Sequence, residues 1–413
     1  METKWKSSRK LKPAVILKDL EDNKKVQDSG GISYEGYFGT FGLDFVTPAL
    51  TGMIEFPKTL EPQFRENLVR RTIIDVSRND ELDQHSFITH LRTLVRAELS
   101  KPENTFHILT SLSIEKSSMK RLSLDGVMIR ILPYGFPNKY DSRKTFDIKD
   151  RHKGKTTYQY SNTIITVTSR HADAAFSKGM DSLDFARAVW NLIAIPRWEI
   201  GPSEWTPINR VRTGPIHTLH KKNGKAATEI HKYWYEPNFV EVRPFNASQN
   251  RCLSKNTRWI LNQVNECKYK SILKSAMLRY VRALDERDPN IAIIKLWSAL
   301  ESLTSPVQAN YDQVVRRVAF LFEDHKILLQ VLEQLKEIRN RNVHAGEGIE
   351  NARATCFFLA NCFSKLCLFH ARNVDKFATI DDANNFLDLH VNKSALEKRK
   401  ALIEYALKFR NLE

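Results

Sequence analysis

The chain has 413 residues and a mass of 47.8 kDa, a length that predicts two or three domains rather than one small core. Apolar residues make up 42% and charged residues 27%, as in a soluble globular protein. No apolar run reaches the roughly 20 residues of a membrane span, and the first residues lack the apolar stretch of a signal peptide. We therefore expect a cytoplasmic protein without membrane contact.

The formal net charge of +16 favours an anionic partner. Lys and Arg exceed Asp and Glu by 38 to 29 over residues 1–250 and by 26 to 19 over residues 251–413. The surplus is therefore spread along the chain without a basic tail, which suits a body that docks on a polyanion but equally serves solubility. The five cysteines lack metal-ligand spacing, which predicts reduced, mostly buried thiols and no metal or other cofactor.

The first 250 residues predict two regions. Residues 1–30 are polar and rich in lysine, and predict a poorly ordered N-terminal arm. Residues 31–250 mix strand and helix patterns and predict a mixed α/β sensor or regulatory region, with room for two subdomains. Within it the patterns predict strands over 107–116, 126–132 and 162–170, a helix over 172–195, and a hairpin over 216–234 with Asn223 and Gly224 at its turn.

Residues 251–413 predict helices alone, so the expected fold class is α+β overall, with an all-α helical bundle after the mixed region. Asp288 as N-cap and Pro289 at the first helical position mark one clear helix start. The stretch 349–372 is apolar nearly all round and should be central, or buried at a subunit interface. The six helices are predicted over 257–284, 287–303, 311–322, 325–340, 349–372 and 393–409.

One predicted helix ends in "LKEIRNRNVHAGEG", residues 335–348, with Arg339, Asn340 and His344 close together in sequence. A helix can end this way for local reasons alone. RNA cleavage without a metal, however, needs proton transfer to and from oxygen, which histidine performs near neutral pH, and positive charge on the phosphate, which arginine supplies. Arg339 and His344 are about 140° apart around a regular helix, and fraying before Gly346 would bring the histidine round.

A single histidine per chain can act as both acid and base only if two chains contribute to one site, so this chemistry predicts a dimer. A loose pattern of arginine followed by histidine also occurs elsewhere, for example at Arg78 and His85. Arg78 and Arg339 are both followed by an asparagine, but only the segment at Arg339 also has an apolar helix before it within a predicted helical bundle.

The segment "RNRNVHAG", with "DERDPNIAIIKLWSALESL" about forty residues upstream, resembles the HEPN superfamily and is most similar to its Apea-like branch. The resemblance covers roughly residue 255 to the C-terminus. It implies a HEPN-like α-helical domain, a homodimer formed through it, and metal-independent endoribonuclease activity of the kind used in antiphage defence, abortive infection and toxin systems. Carried over by position, Arg339 and His344 would be catalytic, Asn340 would shape the site or bind phosphate, and Arg341 would add phosphate affinity.

Further candidates keep two interpretations each. Glu301 either reaches Arg339 across the bundle as a supporting residue or is a solvated helix residue, whereas Trp297 is expected in the core. A basic hairpin is the best candidate for RNA backbone contact outside the active site, although a solvated lysine-bearing hairpin explains it too. The residues of that hairpin are His217, His220, Lys221, Lys222 and Lys225. Without a third ligand, its two histidines do not predict a metal site.

Two functions from different classes follow. The first is an endoribonuclease acting on RNA, with structured RNA such as tRNA among the candidate substrates, and gated by a trigger ligand or protein that the N-terminal region binds. The alternative is a non-catalytic HEPN sensor or scaffold that binds nucleotide or RNA. The intact Arg339, Asn340 and His344 favour the enzyme.

Overall fold

The computed structural model describes residues 2–29, 32–37, 42–79, 82–115, 120–132, 135–143, 158–196, 207–227, 233–236, 239–246, 252–306, 310–345, 348–349 and 351–411. For residues 24–29, 32–37, 79, 233 and 342–345 it describes the backbone alone. The chain divides into two compact units, residues 1–104 with 168–175, and residues 105–167 with 176–413.

The first unit is mostly helical. Its elements are β1 (Lys4–Trp5), α1 (Pro13–Asp22), β2 (Lys24–Ser29), β3 (Ile32–Tyr37), α2 (Leu43–Gly52), β4 (Ile54–Glu55), α3 (Pro62–Asn79) and α4 (Gln84–Leu99). Strand β1 pairs with β4 and β2 with β3, both antiparallel. The helices enclose one apolar core, in which Leu50, Val69, Phe87 and Leu91 are fully buried.

Helix α1 lies within residues 1–30, which the sequence analysis treated as a poorly ordered arm. Its Leu17 and Leu20 are buried in the core of the first unit, so the arm prediction is corrected for this stretch. The overall polarity of the segment concealed two leucines three positions apart, which share one face of a helix. Pro13 at the first helical position marks where α1 begins.

The second unit contains a six-stranded sheet in the order β11-β10-β5-β9-β8-β7. Its strands are β5 (Asn104–Leu112), β7 (Arg121–Leu124), β8 (Val127–Leu132), β9 (Ser161–Ser169), β10 (Ile216–Lys221) and β11 (Tyr233–Tyr235), and the short β6 (Ile114–Glu115) pairs with β12 (Phe245–Asn246). Helix α5 (Ala172–Ala194) follows β9. These elements confirm the strands and the helix predicted between residues 107 and 195.

The predicted hairpin is also present, because β10 and β11 pair antiparallel. Its tight turn is at the predicted Asn223 and Gly224, where the Gly224 amide donates to the Lys221 carbonyl oxygen at 2.8 Å. Gly224 has φ of +90°, a region that side chains disfavour, and a Cβ there would collide with the Lys139 carbonyl. Glycine is therefore required at this position.

From residue 252 onward the described chain forms only helices, which confirms the predicted all-α region. They are α6 (Leu253–Glu266), α7 (Lys270–Leu284), α8 (Pro289–Thr304), α9 (Tyr311–Phe320), α10 (His325–Ala345), α11 (Ala352–Arg372), α12 (Ile380–Leu387) and α13 (Lys393–Phe409). The single helix predicted over 257–284 is two helices, because the backbone is extended at Cys267 with φ −61° and ψ 126°. Helix α12, whose N-terminus is capped by a Thr379–Asp382 capping box, was not predicted.

Helices α8 and α11 pack against each other near the middle of the helical region, as the apolar pattern of 349–372 predicted. Trp297 on α8 is fully buried, which confirms its place in the core. By length and composition alone α11 could cross a membrane, but 61% of its apolar window is buried in the protein, as in the core helix of a soluble protein. Four of the five cysteines are buried and all are free, as expected.

A buried ion cluster joins α5 to α7. The Arg187 guanidinium donates to both oxygens of Asp285 at 2.6 and 2.7 Å and to Asp184 at 2.6 Å, and its side chain is only 2% exposed. The Asn209 side-chain amide donates to Asp285 at 2.8 Å, and the Arg187 Nε donates to the Val211 carbonyl oxygen at 2.9 Å. The cluster therefore fixes α5, α7 and the segment 209–211 relative to one another.

Replacing Arg187 with Met should lower the free energy of unfolding by about 3–5 kcal/mol, because two largely buried carboxylates lose the buried cation that they share. The matched control is Arg282→Met, since Arg282 also pairs with Asp184 but is 54% exposed, and it should cost about 0–1 kcal/mol. Urea unfolding of both variants measures the difference. Equal losses would contradict a structural role that depends on burial.

Candidate active site

Helix α8 carries the first candidate residue. Asp288 caps the helix by accepting from the Asn290 amide at 2.8 Å, and Pro289 occupies the first position, as predicted. Trp297 is fully buried, and Glu301 lies one turn further along the same side of the helix. The buried face of α8 thus holds the Glu301 carboxyl at the edge of the core, where it is half-buried.

Helix α10 carries Arg339 and Asn340. Leu328 and Leu332 are buried and Leu335 and Ile338 are half-buried, so the apolar face predicted for this helix is the one that packs. Arg339 and Asn340 come directly after Ile338 in sequence, and both side chains are half-buried.

Tyr311, the first residue of α9, positions the Arg339 guanidinium. Arg339 Nη1 donates to the Tyr311 hydroxyl at 2.9 Å and to Asn340 Oδ1 at 3.2 Å, and its Cζ lies 4.6 Å from the centre of the Tyr311 ring. Stacking and hydrogen bonding to one tyrosine fix both the plane and the rotation of the guanidinium. The sequence analysis missed Tyr311, because nothing in the pattern of α9 distinguishes a tyrosine that packs from one that orients a side chain on another helix.

The start of α9 is itself held in place. The Asn310 side chain caps the helix by accepting from the Gln313 amide at 3.1 Å. Lys336, one turn before Arg339 on α10, donates to Asp312 at 2.9 Å and also pairs with Glu333. These contacts fasten α9 to α10 beside the Tyr311–Arg339 pair.

Glu301 lies near Arg339. Burial raises the pKa of its carboxyl, and the nearby Arg339 and Arg279 guanidinium groups oppose that shift by attraction. Glu301 Oε1 and Arg339 Nε are both buried and make no hydrogen bond within the described part of the chain. Glu301 is half-buried rather than fully solvated, but no hydrogen bond or ion pair joins it to Arg339 among the described residues, so neither interpretation of Glu301 is decided.

The backbone of α10 remains helical through His344 to Ala345, so the unwinding expected before Gly346 does not occur at the histidine. The side chain of His344 lies outside the described residues. Arg341, on the same helix, is exposed. Just beyond the helix, the Ile349 amide donates to Asn290 Oδ1 at 2.9 Å, which ties the chain after the motif to the start of α8.

The structure corrects the predicted RNA-binding hairpin for its two histidines, because His217 and His220 are buried. His217 Nδ1 bonds to the Thr110 hydroxyl at 2.8 Å, and His220 bonds to the Gly224 carbonyl and the Thr218 hydroxyl. Strand β10 lies between β5 and β11 and its residues 216–220 are buried, so neither histidine belongs to an exposed basic surface. Burial also lowers the pKa of His220. Lys221, Lys222 and Lys225 are exposed, as the prediction requires.

Comparisons with protein-family models, with curated proteins and with solved structures each found no match to this chain. Among the described residues, no group of three His, Cys, Asp or Glu side chains is arranged to hold a metal ion.

The raised pKa of Glu301 predicts a pH-dependent stability. A carboxyl whose pKa is higher in the folded protein stabilises it fully below the unfolded value of about 4.5, and this contribution is lost as the pH rises through the folded value. Glu301→Gln should therefore gain stability relative to the parent protein between about pH 4.5 and pH 7. Urea unfolding at both pH values measures this gap, and a gap that does not change with pH would contradict the desolvation of Glu301.

Proposed function

We propose that this protein is a cytoplasmic, metal-independent endoribonuclease of the HEPN type, which cleaves RNA in a homodimer and serves as a trigger-gated defence or toxin effector. One observation carries the proposal. Tyr311 and Asn340 orient the Arg339 guanidinium, Glu301 lies near it, and helix α10 carries Arg339, Asn340 and also His344.

Arg339 is suited to bind the scissile phosphate. A guanidinium carries five N–H donors, and the two of Nη1 are directed at Tyr311 and Asn340. The donors of Nη2 would then bind phosphate oxygens and stabilise the negative charge that develops as the 2′-oxygen attacks. Because Tyr311 fixes the guanidinium plane, this stabilisation requires little reorganisation in the transition state.

His344 would transfer the protons. As a base it would remove the proton of the 2′-hydroxyl, and as an acid it would protonate the leaving 5′-oxygen, which leaves a 2′,3′-cyclic phosphate and a 5′-hydroxyl. One imidazole cannot perform both steps on opposite sides of one phosphate in the same event. A second His344 from a partner chain would supply the other step.

The geometry of α10 supports a composite site. Because the helix is regular through residue 345, the positions of Arg339 and His344 are about 140° apart around its axis. Helix α13 also supports a second copy, since none of its residues is buried and Leu402, Tyr405 and Phe409 are more than 60% exposed. A 17-residue helix without packing is marginal in water, and a partner chain would provide the packing.

His344→Ala should lower the rate of RNA cleavage by about 10²-fold to 10⁴-fold, the usual contribution of a general acid or base, while the protein stays folded. The measurement uses total cellular RNA with EDTA present, followed by mapping of the cut ends, which should carry cyclic phosphates. The matched control is His390→Ala, which removes an exposed histidine from the turn before α13 and should leave the rate unchanged.

Cleavage that persists in His344→Ala, or that disappears when EDTA is added, would reject the proposal. The alternative, a binding module, is favoured by one feature, the half-burial of an Arg339 already engaged with Tyr311 and Asn340. If neither protein cleaves, comparison of the two in cells under phage challenge separates the readings. A missing trigger predicts protection by the unaltered protein only, and a binding module predicts equal behaviour.

The composite site makes a second prediction. In an equimolar, fully exchanged mixture of unaltered and His344→Ala chains, about one quarter of dimers contain two intact histidines. If each event needs both, cleavage should fall to about one quarter of that of the same total amount of unaltered protein. A fall to about one half would show that each chain acts independently.

A further inference from the structure

The second unit contains a cavity of about 460 Å³ that is separate from the Arg339 cluster. It lies where α5, the β10–β11 edge of the sheet and the α7–α8 connection meet, and a volume of this size accommodates a small ligand. Phe176, Met180, His217, Trp234 and Glu236 form the part of its wall that concerns recognition.

One wall is aromatic and flat. The rings of Phe176 and Trp234 are stacked with their centres 3.8 Å apart and their planes 15° from parallel. Met180 follows Phe176 by one turn of α5 and extends the apolar surface. A planar ring can continue such a stack, and stacking on aromatic side chains is a common way in which proteins hold nucleobases.

The cations of the wall are already neutralised, which disfavours a phosphate in this cavity. Arg187 binds Asp285 and Asp184, Arg282 pairs with Asp181 and Asp184, and Lys295 pairs with Glu286. Among the lining residues, four carboxylates (Asp184, Glu236, Asp285 and Glu286) face three permanent cations (Arg187, Arg282 and Lys295), a formal balance of −1 in a chain of +16. The cavity therefore suits a neutral group that donates hydrogen bonds.

Among the described residues, Glu236 is the carboxylate in this wall that forms no ion pair with an arginine or lysine, and its Oε2 lies 3.5 Å from His217 Nε2. His217 is buried, its Nδ1 bonds to Thr110, and its Nε2 makes no hydrogen bond within the described residues. Its contact with His217 and the surrounding cations lower the pKa of Glu236 despite burial, so the carboxylate is ionised at neutral pH. An ionised carboxylate beside an aromatic wall is an acceptor for paired N–H donors.

We propose that this cavity binds a guanine base, stacked on the Phe176–Trp234 wall with its N1–H and N2–H donors on the two oxygens of Glu236. Guanine is the RNA base with two adjacent N–H donors on its Watson–Crick edge. Adenine and cytosine place an acceptor nitrogen beside the amino group, and uracil places its one N–H between two carbonyl oxygens, so each directs an acceptor at the carboxylate.

The base can come from two sources that share this chemistry, a free guanine nucleotide or an unpaired guanosine of an RNA. The sugar and phosphate would lie towards the open side of the cavity, since its cations are paired. The inference goes beyond the proposed nuclease activity and does not depend on it, because base binding is measured without cleavage.

The test is isothermal titration of the purified full chain with guanosine, GMP, AMP, CMP and UMP. Guanosine and GMP should bind with similar affinity, and the other nucleotides at least roughly tenfold more weakly, because each leaves the carboxylate opposite an acceptor. Glu236→Gln should weaken GMP binding at least roughly tenfold by removing one of two acceptor oxygens. Trp259→Phe, which changes a partly exposed tryptophan on α6, is the matched control and should bind GMP as the unaltered chain does.

Met180→Trp leaves every polar group of the cavity in place, and its additional ring fills the space that the base would occupy. It should abolish GMP binding while the urea unfolding midpoint remains near that of the parent, which separates loss of the site from loss of the fold. GMP binding that survives both Glu236→Gln and Met180→Trp would overturn the proposal, as would equal binding of all four nucleotides or none by the unaltered chain.

A short single-stranded RNA with one guanosine, compared with the same RNA lacking guanosine, distinguishes the two sources. Guanosine-dependent binding of the RNA in competition with GMP assigns the cavity to RNA recognition. Binding of GMP without such competition assigns it to a free nucleotide. Both results support guanine recognition, and both are independent of whether His344→Ala affects cleavage.

Discussion

The contact between Arg187 and the carboxylates of Asp184 and Asp285 is the constraint on which the second unit depends. A guanidinium this deeply buried is stable only when its charge is matched and its donors are satisfied, and both conditions require α5 and α7 to take one relative position. Once α7 is placed, α8 packs against it and α11 packs against α8. The position of Glu301 at the edge of the core therefore follows from an interaction near the sheet.

The side chains of the candidate active site are positioned mainly by the capped starts of helices α8 and α9. Asp288 caps α8 and Asn310 caps α9, so the positions of Glu301 and Tyr311 are fixed by local hydrogen bonds and by the apolar faces behind them. Arg317 on α9 binds Asp388 and the Thr304 carbonyl, which joins the end of α12 to the end of α8. Arg339 then contacts a tyrosine at the capped start of α9, so its guanidinium has one defined orientation.

Patterns that depend on one segment alone were predictable from the sequence. The 3.6-residue spacing of leucines gave the packing face of α10, and Asp288 with Pro289 marked where α8 begins. The break at Cys267 was not visible, because apolar residues continue at helical spacing across it, whereas the bond of Tyr269 to His370 just after the break joins residues that are distant in sequence. The change to helix near residue 250 was correct as secondary structure, whereas the compact units divide near residue 104.

Features that depend on two segments could not be obtained in this way. Strand alternation predicts that one of His217 and His220 faces solvent, but β10 is an interior strand covered on both sides, and strand order is not encoded in the strand itself. Tyr311 is 28 residues from Arg339, and their contact depends on how α9 returns along α10. The motif residues were identified by chemistry, while the residue that orients them is a property of the fold.

The guanine cavity and the Arg339 cluster share helix α8, and this determines how they could communicate. Lys295 lines the cavity and Glu301 lies near Arg339. These two residues are six positions apart on α8, which is about 9 Å along the helix axis. A ligand that altered the Lys295–Glu286 pair would act on the helix that holds Glu301 beside Arg339. Any such coupling must be reciprocal in free energy, so RNA bound at Arg339 would change the affinity of the cavity for guanine by the same factor by which guanine changes the affinity for RNA. A trigger acting through α8 would thus be detectable as a binding effect even in the His344→Ala chain.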